Sequence, residues 1–431
     1  MRRDVIGYSE EGRPIPVLYP GRETAPLRIL IVAGQHGDEH RGREAVRRFA
    51  GAPLAQLAGD SAVPVAVAVV PDINPDGAAR GTRTNARGVD LNRDHLRLAG
   101  AETRTLHQFV RSWRPHLVVD VHDFPPRRRH LLAQQLVYCH DVFLDVPTHP
   151  VAQHPALGRQ GSRLLLPIVG ALNAAGYRSA RYTRVTKSGR VRHSTPDVVD
   201  ARNGLALRYR VPTVLVETRG PSRRDGPAGE AHVLAGAEMT LRLIVRWAHE
   251  YRAELTGALP HQAAAAAVPV RTHYRRAAHP CLLAFADARS GLVRTIEVPG
   301  RYTPVIDARW RVTLPRAYAV PRTERALLEV LRRHAFDVVA SAPDQCQRIE
   351  RYWVETLRPS ERPNRAPHEL RLRVRIENGP LNDYVLVPVT ADGGPALAVF
   401  LEPASKHGLA RFTEMGLPLT PRSAYPIARV A

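Results

Sequence analysis

The stretch Ile29-Leu30-Ile31-Val32-Ala33-Gly34-Gln35-His36-Gly37-Asp38-Glu39 sets an apolar run rich in β-branched residues directly before a polar cluster broken by glycine. A short continuous apolar run of this kind reads as a buried strand of a mostly parallel sheet. In open α/β sheets the loops at strand C-termini form the ligand crevice, so a polar cluster at that place is a site candidate. His36 and Glu39 stand three apart with Gly37 between them, which lets the backbone turn and point an imidazole and a carboxylate at one ion. Taken alone, the pair describes a solvated loop equally well.

Working outward, three further runs repeat the pattern: Val65 to Val70, Leu117-Val118-Val119 and Thr213-Val214-Leu215-Val216. Helical periodicity lies between and after them, at Arg41 to Phe49, Ala101 to Trp113, Leu164 to Ala175 and Glu230 to Leu255. Alternation of strand and helix predicts an α/β domain, a mixed and mostly parallel sheet flanked by helices, over residues 1–256. Residues 257–270, with Gly257-Ala258-Leu259-Pro260 and the alanine run Ala263 to Ala267, read as a linker or frayed helix end. From Arg271 the pattern turns to short alternating strands such as Leu370 to Ile376, interrupted by one helix at Thr323 to His334. Residues 271–431 therefore read as a second, smaller α+β or β-rich domain.

Three more constellations stand at strand ends or just beyond them. Asp120-Val121-His122 closes an apolar strand and places a second histidine on the sheet edge of His36 and Glu39. Two histidines and a carboxylate with an open fourth position are a known catalytic zinc set. Asn74-Pro75-Asp76-Gly77, then Arg83-Thr84-Asn85 and Gly88-Val89-Asp90-Leu91-Asn92-Arg93-Asp94, form a long polar loop dense in donors that suit a carboxylate. The same residues could instead be turns and surface ion pairs. Val216-Glu217-Thr218-Arg219 ends another buried strand in a carboxylate, a natural general base if it faces an activated water, or else an ion-pair partner of Arg219.

Composition narrows the chemistry. The cysteines Cys139, Cys281 and Cys346 are too scattered for a disulfide framework or a cysteine zinc site, so any metal must use histidine and carboxylate ligands. The formal charge of +21 permits an anionic partner, but the arginines are spread from end to end with no nucleic-acid motif, so no nucleic-acid partner is expected. Neither a signal-like nor a membrane-spanning apolar stretch is visible, and the expectation is a cytoplasmic protein without a membrane partner.

Together the residues resemble the zinc carboxypeptidases of the M14, carboxypeptidase A-like, type, in a less-characterised bacterial subgroup. The resemblance rests on His36-x-x-Glu39, Asn74-Pro75-Asp76-Gly77, the run Arg83-x-Asn85-x-x-Gly88-Val89-Asp90-Leu91-Asn92-Arg93, His122 and Glu217, in the family's order over roughly residues 1 to 250. It implies one zinc ion on His36, Glu39 and His122, with Asp90 supporting a ligand histidine from behind. It implies further that Glu217 moves the protons of hydrolysis, that Arg83 stabilises the oxyanion, and that Asn92 and Arg93 grip the terminal carboxylate of a peptide or peptide-like substrate. An ungapped count from Glu217 makes Arg202 the residue expected to select an acidic C-terminal side chain. The sequence departs from many members at Asn92-Arg93-Asp94-His95, and the mobile-loop tyrosine of the family has two candidates, Tyr182 and Tyr209. Two other functions use the same scaffold: a zinc-dependent deacylase of N-acyl amino acids, and a non-catalytic metal- or peptide-binding protein.

Overall fold

The computed structural model describes residues 1–21, 24–52, 65–222, 225–257, 267–298, 302–341, 347–359, 368–415, 417 and 419–431. Its first half is built on strands β1 (Arg2–Tyr8), β2 (Pro14–Tyr19), β3 (Leu27–Ala33), β4 (Val65–Val70), β5 (Leu117–Phe124), β6 (Leu136–Tyr138), β7 (Val142–Asp145), β8 (Ser179–Arg181), β9 (Arg184–Val185), β10 (Val191–Arg192) and β11 (Thr213–Arg219). Eight of these form one sheet in the order β1-β2-β4-β3-β5-β11-β7-β8. The four apolar runs are its parallel centre, and β1, β2 and β7 join it by antiparallel pairing.

Why these runs lack polar residues follows from the packing. Successive side chains of a strand point to opposite faces, and here both faces are covered. Ile29, Ile31, Val67, Val69 and Val119 enter a core with Val46, Phe49, Leu241 and Ile244 of the helices Arg41–Gly51 and Pro227–Glu250. Leu30, Val32, Ala68, Val70 and Val118 enter the opposite core with Leu106, Val110 and Leu205 of the helices Ala101–Trp113 and Ala201–Tyr209. Burying each of these larger aliphatic side chains is worth about 1.5–3 kcal/mol, so truncation of Ile31 at the centre should cost about 2–5 kcal/mol.

The second half contributes β12 (Val268–Arg275), β13 (Cys281–Asp287), β14 (Val293–Val298), β15 (Tyr302–Thr303), β16 (Val305–Val312), β17 (Ala317–Pro321), β18 (Val339–Ala340), β19 (Gln347–Pro359), β20 (His368–Gly379), β21 (Tyr384–Pro388) and β22 (Ser423–Val430). Six of them form a separate sheet, β18-β21-β17-β22-β19-β20. Residues 258–266 of the expected linker, and Cys346, lie outside the described residues; β12 already begins at Val268, inside the stretch read as linker. The two halves share a core in which Leu96, Val198 and Leu207 pack with Tyr318, Leu331 and Phe400. Strand pairing crosses between them as well: β13 pairs with β6, and β15 with β10. Phe285 of β13 thereby joins Phe124, Tyr138, Phe143, Tyr182 and Leu215 in an aromatic cluster at the end of the central sheet. Among the described residues no helix is long and apolar enough to cross a membrane.

Candidate active site

Strand β3 leads through Arg41–Gly51 to β4 on one side, while β5 lies on its other side. The connections therefore diverge between β3 and β5, and such a switch point opens a crevice at the strand C-termini. The loop after β3 turns at Gly34 with φ +74° and closes with a bond from the Glu39 amide to the His36 carbonyl (3.2 Å). A Cβ on Gly37 would stand 2.0 Å from the carbonyl carbon of Gly77, so only glycine lets this loop press on the Asn-Pro-Asp-Gly segment. That segment begins a short helix, Pro75–Arg80, capped by the Asn74 side chain, whose amide also donates to the Gln35 carbonyl (3.2 Å). Buried Asp76 accepts from Ser9 Oγ (2.8 Å) and the Glu11 amide (3.1 Å), tying the β1–β2 hairpin to the site.

His36, Glu39 and His122 come together with one candidate ligand atom each, all within 4.8 Å of one another. His36 Nδ1 lies 2.6 Å from Glu39 Oε1 and His122 Nδ1 lies 2.9 Å from Glu39 Oε2. On their far sides, His36 Nε2 meets Asp90 (3.1 Å) and His122 Nε2 meets Asp120 (3.1 Å). A carboxylate behind each ring fixes the proton on Nε2 and leaves Nδ1 with its lone pair. Two lone pairs then face the oxygens of one carboxylate, a repulsive arrangement unless positive charge sits among them. A zinc ion, bound by imidazole nitrogen and carboxylate oxygen, answers that demand, and the residues fit it.

The same carboxylates call for positive charge at both rings. Burial opposes charge on His122, but Asp120 and Glu39 outweigh it and hold the imidazole well above its ordinary pKa. His36 is raised in the same way, against burial, by Asp90 and Glu39. Glu39 and Asp90, in turn, are held well below the carboxylate range despite their burial by the histidines they touch.

Asp120, which the sequence reading left without a role, belongs to this cluster through its contact with His122. The signal was available, because Asp120 and His122 are two apart on one strand and so share a face. Behind Asp120 runs a buried chain invisible in the sequence. Gln35 Nε2 donates to Asp120 Oδ1 (2.6 Å), and Gln35 Oε1 faces His95 Nε2 (2.8 Å). His95 Nδ1 then meets His107 Nε2 (3.1 Å), and His107 Nδ1 meets the Tyr209 hydroxyl (2.9 Å). His95, the departure noted in the sequence, thus braces Gln35 from behind. Asp94 beside it is buried and accepts from the Ala99 and Gly100 amides.

In front of the trio lies a cavity of about 440 Å³. Glu217 faces His122 across the β5–β11 ladder and lines the cavity, and its carboxylate makes no hydrogen bond or ion pair among the described residues. Arg219 is not its partner, being paired with Asp225 (2.6 Å) and Asp141 (3.4 Å). Burial raises the Glu217 carboxyl to about 7, the field of His122 pulling the other way. Arg83 lines the rim, its Nε 3.0 Å from Asp90 Oδ2 and one terminal nitrogen 3.8 Å from Glu39. Asn92 and Arg93 also line the cavity; the Asn92 amide nitrogen lies 3.1 Å from His122 Nε2 and its oxygen accepts from the Ala201 amide. Arg202 reaches the wall but is buried, its guanidinium held by Asp145 (3.2 Å) and Asp200 (3.2 Å). Of the two tyrosines, Tyr182 lines the cavity, whereas Tyr209 ends the buried chain behind the site.

Comparison with known proteins finds related sequences. Residues 1–121 match the family model described as zinc carboxypeptidase, a match that stops one residue before His122. Carboxypeptidase 2 of Trichophyton rubrum is 27% identical over 227 residues, covering 49% of this chain and 42% of that protein. Carboxypeptidase E of Caenorhabditis elegans is 36% identical over 117 residues, 21% of this chain and 24% of that protein. The chain thus spans less than half the length of the curated relatives it matches. Among solved structures, a metallo-carboxypeptidase from Pseudomonas aeruginosa overlaps 59% of this chain and 65% of its own at 21% identity and a TM-score of 0.43. Over residues 1–121, this chain is thus similar to the zinc carboxypeptidase family.

Proposed function

We propose that this chain is a zinc-dependent carboxypeptidase that removes the C-terminal residue of a peptide or peptide-like substrate. The observation that carries the reading is the convergence of His36 Nδ1, Glu39 and His122 Nδ1 in one cavity beside Glu217, whose carboxylate has no partner among the described residues. Zinc held by those three groups would supply Lewis acidity, polarising a carbonyl and acidifying water.

The remaining work falls to this chain's own side chains. Glu217 has no side-chain partner among the described residues to compete for its oxygens, so it takes the proton of the attacking water and returns it to the departing amine. A carboxyl near neutrality suits both transfers. Arg83, steadied through Nε by Asp90, keeps its outer N–H groups at the rim for the oxyanion, where losing one donor costs on the order of 10²–10³ in rate. Asn92 and Arg93 bind the substrate's terminal carboxylate. Arg202 as a grip for an acidic side chain must compete with Asp145 and Asp200, which already hold its guanidinium.

Two variants test the assignment. His122→Ala should lose bound zinc, measured by metal analysis of the purified protein. Glu217→Gln should keep one zinc and lose turnover by on the order of 10²–10⁴. Full activity in either variant rejects the reading. N-acyl amino acids assayed beside peptides decide between peptidase and deacylase, since Asn92 and Arg93 serve both.

A further inference from the structure

The cavity wall holds two arginines that the catalytic scheme does not use. Arg128 follows the end of β5, and Arg184 lies in β9. Both are half-buried, both line the cavity, and neither makes a hydrogen bond or ion pair through its guanidinium among the described residues. They stand on one side of the site: His130, two residues after Arg128, donates to the carbonyl (2.8 Å) of Val185, the neighbour of Arg184, and the Val185 amide donates to the Tyr138 hydroxyl (3.2 Å). Arg93 follows Asn92, whose side-chain oxygen accepts from the Ala201 amide (2.9 Å) at the start of another wall element, the helix Ala201–Tyr209.

The contrast with the neighbouring arginines is informative. Arg83 is answered by Asp90, and Arg202 by Asp145 and Asp200. A cation partly withdrawn from water without a counter-charge is costly to the fold. Planar guanidinium donors facing a shared cavity are suited to a carboxylate. Asp38 stands at the exposed rim and Glu217 is required for proton transfer, so neither is a permanent partner for the pair.

Resting on the carboxypeptidase reading, we propose that Arg128 and Arg184 form a second anion subsite, so that the preferred substrate is an acidic peptide. One carboxylate, the chain terminus, sits at Asn92 and Arg93. Another, carried by a side chain next to the scissile bond, sits between Arg128 and Arg184. Acidic selectivity thereby moves from Arg202, whose charge is spent within the protein, to two arginines whose charge is not.

The test uses the zinc-loaded full chain and paired peptides that differ only in charge: Glu against Gln at the C-terminal position, and Glu against Gln at the penultimate one. In the wild type, kcat/KM should favour Glu by about ten- to hundredfold at one of the two positions, the size of one charge-assisted pair. The position that responds locates the subsite. In Arg128→Gln/Arg184→Gln that ratio should fall to within about twofold, and Arg184→Gln alone should lower it partway. A wild type with no acidic preference at either position, or a ratio that survives the double substitution, overturns the proposal. If no peptide is cleaved at all, the carboxypeptidase reading fails separately. Calorimetry with N-acetyl dipeptides that carry Glu or Gln at the C-terminal or the penultimate position then decides the subsite: tighter binding of Glu at one position that disappears in the double variant supports it, and equal binding at both rejects it.

Discussion

Glu217 in the central sheet and Glu402 in the C-terminal half are both carboxyls that burial raises above their ordinary pKa, yet their surroundings differ. Glu402 is 1% exposed, and its Oε1 accepts from the Tyr318 hydroxyl (2.8 Å) and lies 3.3 Å from Arg429 Nε. Glu217 opens on a cavity and has no partner among the described residues. A buried charge tied to its neighbours serves the fold, whereas one left facing a void is available for chemistry. The same contrast separates Arg202 from Arg128 and Arg184.

Substitutions at the two glutamates should therefore fail in opposite ways. Glu217→Gln should cut turnover on the order of 10³ while leaving the urea midpoint unchanged or raised; a large loss of stability would place Glu217 with Glu402. Glu402→Ala strands the Tyr318 hydroxyl and takes one of two carboxylates from Arg429, which keeps Glu350 (2.9 Å), and should cost about 2–3 kcal/mol in denaturant titration. Because Glu402 touches no cavity wall, kcat of the folded variant should hold, and a parallel loss of kcat would erase the distinction.

A third kind of buried group lies where the two halves meet. His334 donates through Nε2 to the Leu96 carbonyl (2.9 Å), and His149 accepts from the Val151 amide (3.3 Å). Burial pushes each down to about 3. They stay neutral in the fold while the unfolded chain takes up protons near the ordinary value of about 6.5. Their contribution is thus complete above about pH 6.5 and is lost as pH falls towards their folded values. By pH 5 the loss should be about 2 kcal/mol for each. Unfolding free energies from pH 7.5 to 5 check this: the loss should be about 4 kcal/mol smaller in His149→Gln/His334→Gln than in the wild type, the remainder coming from other buried histidines such as His95 and His407, and an unchanged loss would contradict it. The smallest effect belongs to Tyr318→Phe, which leaves Arg429 on Glu402 and should cost about 1 kcal/mol by the same titration.

Legibility in the sequence followed the range of the interactions. Strands β3, β4, β5 and β11 could be read because burial on both faces demands unbroken apolar runs, and the helices Arg41–Gly51 and Ala101–Trp113 because their apolar stripes are periodic. His36, Glu39 and Glu217 announced themselves as polar residues at strand ends. Strand β1, Arg-Arg-Asp-Val-Ile-Gly-Tyr, is largely exposed and carries no such run. The pairings of β6 with β13 and β10 with β15 join segments of two to seven residues far apart in the chain, where no local pattern sets the partner. The chain from Asp120 through Gln35 and His95 to His107 likewise exists only once four separate segments meet. Arg128 and Arg184 were hidden for a different reason: in a chain carrying 62 Lys and Arg, only the absence of a partner sets an arginine apart.

The most direct test of a zinc carboxypeptidase is mass-spectrometric analysis of one peptide offered in two forms, with a free C-terminal carboxylate and with a C-terminal amide. The expected result is loss of a single C-terminal residue from the free acid only, abolished by chelation and restored by zinc. Equal cleavage of the amide, internal cleavage, or shortening that persists after chelation would contradict it.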